Sequence, residues 1–147
     1  MKEDSLGEIT LRKYEKPYDL KERDLAKKVC LSLGLLQPGD SRDIVVDVLL
    51  VLKKAAKDKK ELTSDEIKDL AIKSREDNNL ELKGIAESNI RRQLKKLRNI
   101  FLVEKKANKY SITEWSKFSD LFDEKIEKFY LSSITQRIKE YLEEFDK

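Results

Sequence analysis

Between Ile44 and Leu52 the chain is apolar at every position except Asp47, and the apolar residues do not keep to one side. Ile44, Val45, Val48, Leu49, Leu52 and Ala55 share one face at helical spacing, while Val46, Leu50 and Val51 fill most of the rest. That pattern predicts a helix buried in the middle of the fold. Asp40 or Ser41, at the end of the turn "QPGDS", is its expected cap. Upstream, a first helix is expected to open at Asp19, with Glu22 reaching back to complete the cap. It runs through Leu25 and Val29 and ends near Gly34. Residues 8–16, "EITLRKYEK", alternate loosely up to Pro17, as an edge strand does.

Downstream, "ELTSDEIKDLAIKS" opens with a capping box, Thr63 with Glu66, and puts Ile67, Leu70 and Ala71 on one face. The stretch "REDNNLELKGIAE" is polar and turn-rich but holds Leu80, Leu82 and Ile85. Ser88 is then the expected cap of a helix whose inward positions are Ile90, Leu94, Leu97 and Phe101. "FLVEKK" and "KYSIT" alternate about the turn "KANK", which signals a hairpin. From Glu114 to Phe145 the pattern is helical again, with Trp115, Phe118, Phe122, Ile126 and Phe129 in one stripe that continues through Ile134, Ile138, Tyr141 and Phe145. A break is expected at "LSSITQ", where Ser133 and Gln136 match a second capping box. The resulting fold class is mainly α with a small β-hairpin. It divides into an N-terminal strand and helix extension (1–40), a central domain (41–113) and a C-terminal helix (114–147).

Charge changes this picture in one place. The 147 residues carry a net charge of only +3, although 41% of them are charged. Residues 1–40 and 114–147 mix both signs, whereas residues 83–113 hold nine Lys and Arg against two acids. A bland solvated surface in this chain is mixed, so a one-sided block favours contact with phosphates over mere solvation. With Ile90, Leu94, Leu97 and Phe101 inward, Asn89, Arg91, Arg92, Lys95, Lys96 and Arg98 are left to face outward or sideways.

The order of a buried helix, a capped helix, an Arg-rich helix and a basic hairpin resembles the winged helix-turn-helix family. Its carriers are "LKKLRNIFLVEKK" and the strand closing on "KYSIT", and the resemblance spans about residues 41–113. It implies a winged helix-turn-helix core with an N-terminal extension and a long C-terminal helix. It further implies sequence-specific binding of double-stranded DNA by a transcriptional regulator acting as a dimer. In that reading the residues near DNA are Ser88, Asn89, Arg91, Arg92, Lys95 and Lys96 on the recognition helix, with Lys105, Lys106 and Lys109 on the wing. Arg and Asn suit base edges, Arg through its fork to guanine and Asn by pairing with adenine. The alternative is a winged-helix scaffold whose basic face meets an acidic protein or RNA in a larger assembly.

The stripe Trp115, Phe118, Phe122, Ile126 and Phe129 belongs either to a helix folded back on its own domain or to a homodimer interface. A helix of about 30 residues spans roughly 45 Å, more than a small domain needs, and the family resemblance favours the interface. Other chemistry is bounded by composition. There is no His and one Cys, Cys30, which excludes an internal disulfide and the common zinc ligand sets. Cys30 lies in an apolar helical pattern and is expected to be a buried, inert thiol. The four Gly are scattered, so no phosphate-cradling loop exists. Acids such as Asp65, Glu66 and Asp69 sit at a helix start, where they serve the cap and the dipole. No catalytic residues, metal or cofactor are expected. No secretory segment opens the chain and no apolar run is long enough to span a bilayer, so a cytoplasmic protein is expected. Richness in Lys and Glu with few Met, Cys and Gln fits a thermophile.

Overall fold

The apolar run from Ile44 forms the helix around which everything else is arranged. In the computed structural model, which describes residues 3–147, α2 (Ile44–Lys57) buries eight residues, Ile44 to Leu49 together with Val51 and Leu52. It packs against α1 (Glu22–Ser32), α3 (Ser64–Asp77), α4 (Glu87–Asn99) and the sheet. Three short strands make that sheet: β1 (Leu62–Thr63), β2 (Val103–Lys106) and β3 (Lys109–Ile112). They are antiparallel in the order β1-β3-β2, with Leu62 opposite Tyr110 and Lys105 also opposite Tyr110 from the other side. The protein is therefore a helix-rich fold with a small antiparallel sheet. No helix among the described residues is long and apolar enough to cross a membrane.

Of the expected helix caps, one forms. The Thr63 and Glu66 capping box forms: the Glu66 amide donates to Thr63 Oγ1 at 3.2 Å and the Thr63 amide donates to Glu66 Oε1 at 3.0 Å. These hydrogen bonds with Thr63 hold the Glu66 carboxyl below its ordinary pKa, with Lys60 and Lys109 adding to the effect. The other expected caps do not form. α1 begins three residues after Asp19, which takes φ +50°. The Asp40 carboxylate instead accepts the Arg42 amide, and α2 follows Asp43 without a side-chain cap. Ala86 precedes α4, so Ser88 lies exposed inside the first turn instead of capping it.

Several packing expectations are corrected. Residues 8–16 form no strand; one backbone bond, Arg12 N–H to Ser32 O at 2.9 Å, ties this extended segment to the end of α1. The Arg12 guanidinium adds bonds to the Leu31 and Leu36 carbonyls. Leu70 is 43% exposed, because α3 turns only Ile67, Ala71 and Arg75 fully inward. Phe101 is not a buried helical position. It follows α4 in a left-handed turn at φ +66°, a conformation that normally favours Gly at a helix end. There its ring meets Phe129 and Tyr130 edge-on, with centroids 6.0 and 5.5 Å away.

The C-terminal helix starts later than its pattern suggests. A 3₁₀ turn (Thr113–Trp115) with Glu114 and Trp115 at positive φ comes first. Then α5 (Phe118–Leu121), a π-helical stretch (Phe122–Leu131) and α6 (Ser132–Asp146) follow one another. The expected break at "LSSITQ" is absent: Leu131 and Ser132 keep helical dihedrals, and Ser133 Oγ donates back to the Tyr130 carbonyl at 2.7 Å. Residues 118–146 thus remain helical throughout. Leu121 and Ile126 close the core, which Ala26, Cys30, Leu35 and Leu36 from the N-terminal residues also share.

Candidate nucleic-acid interface

α4 has the amphipathic division its sequence implies. Ile90, Leu94 and Leu97 are fully buried and Gln93 nearly so, which leaves Arg91, Arg92, Lys95, Lys96 and Arg98 exposed. The helix ends at Asn99, and after Ile100, Phe101 and Leu102 the chain enters β2 directly. Leu102 and Val103 are buried, so the same short passage anchors the helix end and the first hairpin strand. Lys106 and Lys109 pair across the two strands at the hairpin tip, with Ala107 at φ +54° in the turn between them.

The cations differ in how free they are. Arg91 is held by Glu87 one turn earlier, at 2.6 Å, with both side chains largely exposed. Lys106 lies 3.9 Å from Glu104, a loose contact on a 73% exposed side chain. Lys105 sits 5.6 Å from the centre of the Tyr110 ring, a cation–π arrangement that leaves the ammonium in solvent. Arg92, Lys95, Lys96 and Arg98 form no salt bridge among the described residues, nor does Lys109, although its charge reaches Glu66. Exposed, uncompensated charges of one sign on adjacent elements suit a polyanion, because each contact would release a counterion without breaking an existing pair.

Asn89 does not belong with them. Its Nδ2 donates to the Gly84 carbonyl at 2.7 Å and its Oδ1 accepts from Gln93 Nε2 at 3.0 Å, so both ends of the amide are in use. It is a clamp between α4 and the segment before it. Gly84 serves the clamp: at φ +72° it takes a left-handed turn, and a Cβ there would lie 2.9 Å from Asn89 Nδ2. At its other end this α3–α4 link is fixed by Arg75, whose Nε donates to the Glu81 carbonyl at 2.6 Å. The Arg75 carbonyl also accepts the Leu80 amide at 2.9 Å. Residues 78–86 are therefore pinned at both ends, and α4 has a defined seat despite the length of the link.

Arg75 belongs to a second constellation, which the apolar periodicity gave no means of finding. Asp47 is completely buried on α2, accepts from Ser74 Oγ at 2.8 Å, and lies 2.9 Å from Arg75 Nη1. Arg23 on α1 pairs with Asp47 as well, and Asp43 lies 2.8 Å from Arg75. Burial works against the Arg75 charge, but the bonds and charges of Asp43 and Asp47 outweigh it and raise its pKa. The network ties α1, α2 and α3 together and is structural. Its only sequence signal was Asp47, the one charged residue in an apolar run.

The expected interface stripe is mostly spent on the chain's own core. Ile126 is fully buried, and Phe118 and Phe122 are half-buried against the core. Trp115 is half-buried in the 3₁₀ turn, which leaves Phe129, 62% exposed, as the open member of the five. Among the described residues no group of three or more His, Cys, Asp and Glu could hold a metal ion. No family model matches the chain, and no curated protein or solved structure does either.

Proposed function

We propose that the chain is a winged helix-turn-helix protein that binds double-stranded DNA in a sequence-specific way, as a homodimeric transcriptional regulator. The element order supports this reading. α2, β1, α3, α4, β2 and β3 follow one another as three helices with a strand between the first two and a hairpin at the end. In this reading α4 is the recognition helix and the β2–β3 hairpin is the wing. The observation that carries the function is the set of exposed cations that form no salt bridge, Arg92, Lys95, Lys96, Arg98 and Lys109, on those two elements. A helix fits the major groove, while flexible lysines on a hairpin reach phosphates. Arg92 is the base-reading candidate, because Arg91 is paired with Glu87 and Asn89 is consumed by Gly84.

A second reading keeps the same face but changes the partner to RNA or an acidic protein. The α3–α4 link at residues 78–86 favours it, since a helix-turn-helix uses a turn of only about 3–4 residues. Binding of labelled duplex, single-stranded DNA and double-stranded RNA over a salt series separates the two. The DNA reading expects a preference for duplex DNA and one enriched motif when random duplexes are selected. Equal affinity for all three polymers, or binding to none, would overturn it.

A further inference from the structure

α6 has no buried residue, yet Ile134, Ile138, Tyr141, Leu142 and Phe145 stand on it. Ile138 is 50% exposed, Tyr141 74% and Phe145 87%. Ile134, Ile138, Tyr141 and Phe145 succeed one another at intervals of four, three and four residues, the spacing of a helix that lies along another helix. The chain's own core already ends at Leu121 and Ile126; Ile134 is half-buried, and nothing among the described residues covers Ile138, Tyr141 and Phe145.

We propose that its cover is α6 of a second copy, laid antiparallel. This rests on the homodimer reading and adds the seam and its direction. Two features select that direction. The first is volume. An antiparallel seam sets Ile134 against the partner's Phe145 and Ile138 against the partner's Tyr141, so every layer holds one aliphatic and one aromatic residue. A parallel pair in register would stack Phe on Phe and Tyr on Tyr while Ile met Ile, crowding some layers and leaving others slack. The second is charge. The antiparallel flank brings Arg137 beside the partner's Glu144, and two-fold symmetry repeats the pair. In a parallel pair Arg137 would face the partner's Leu142, with no opposite charge across the seam. Arg137 now lies 2.6 Å from Glu140 and Glu144 3.0 Å from Lys147, both on the helix surface. Exposed pairs of this kind are exchanged at little cost.

Sedimentation equilibrium of the full chain tests the seam. The wild type is expected to dimerise at micromolar concentration. Ile138→Lys is expected to give a monomer with unchanged circular dichroism, since the core does not use α6. Arg137→Glu or Glu144→Arg alone sets like charges on both flanks and should raise Kd on the order of tenfold. The double variant R137E/E144R should return to the wild-type value. A wild type that stays monomeric at high micromolar concentration overturns the homodimer reading and the seam together. A dimer lost in I138K but indifferent to the charge variants keeps the homodimer and overturns the antiparallel seam. A dimer that survives I138K lies on another surface and also overturns the seam.

Discussion

Asp47 illustrates how much a single residue can hold when it is charged and out of reach of water. Its carboxylate answers Arg75, Arg23 and Ser74 at once. Replacing it with Ala would leave Arg75, itself only 3% exposed, next to Asp43 alone. Breaking a buried pair from one side costs about 3–5 kcal/mol, so Asp47→Ala should lower the urea midpoint by that equivalent. Arg23→Ala should cost less, because Arg23 is partly solvated and Arg75 remains. Cys30 makes a different prediction. Burial pushes its thiol up to about 12, whereas the unfolded thiol ionises near its ordinary value. Between about pH 9 and 12 the unfolded state therefore loses the proton first, and stability falls as pH rises, by at most about 1.4 kcal/mol per pH unit. Denaturant titrations of the wild type and Cys30→Ala over that range should diverge, the variant lacking this part of the slope. Equal slopes would mean that the thiol is not buried in the folded chain.

Among the elements, α4 and the hairpin are expected to contribute unequally to binding. A rigid guanidinium on the helix can choose between bases, while lysines on a strand turn can only follow the backbone. Arg92→Ala should cost on the order of 1–3 kcal/mol and relax preference at one base position. Arg91→Ala, which first has to lose Glu87, should cost less. Changing Lys105, Lys106 and Lys109 to Gln should instead weaken every duplex alike and shallow the salt slope by about one per lysine. Anisotropy with the selected motif and a scrambled duplex distinguishes the two effects. Altered selectivity in the lysine variant would make the hairpin the reader. The division of α4 into Ile90, Leu94 and Leu97 inside and cations outside was legible from spacing. The diversion of Asn89 was not, because Gly84 comes within bonding distance only once the preceding link has folded back.

At the scale of the whole molecule, the N-terminal residues are part of the same core and not an attachment to it. Cys30, Leu35 and Leu36 are buried with α2, and Tyr130 Oη accepts the Glu8 amide while donating to the Glu8 carbonyl. Gly34 lies at a close approach within this junction. It has φ +71°, and a Cβ there would lie 2.7 Å from the Thr10 carbonyl oxygen. Gly34→Ala thus meets both backbone strain and a contact with main chain that cannot turn aside. It should destabilise the protein by about 1–3 kcal/mol. Since the core is shared, the loss should appear as an earlier single transition. A separate early transition with an unshifted main one would make the N-terminal segment an independent unit.

What the sequence determined by itself was local. Helical spacing placed α2, α3 and α4, alternation placed the β2–β3 hairpin, and Thr63 with Glu66 placed the start of α3, because each signal lies within one or two turns of chain. The basic character of residues 83–113 was equally plain. Tertiary structure alone decided which polar groups met. Arg75 reaches Asp47 across 28 positions, the Arg12 amide finds Ser32, and Phe101 meets Phe129 and Tyr130. It also divided the C-terminal stripe, spending Phe118, Phe122 and Ile126 on the chain's own core and leaving Ile138, Tyr141 and Phe145 open. Periodicity tells which side of a helix is apolar. Which part of that side is covered depends on where the rest of the core ends, and only the folded chain sets that boundary.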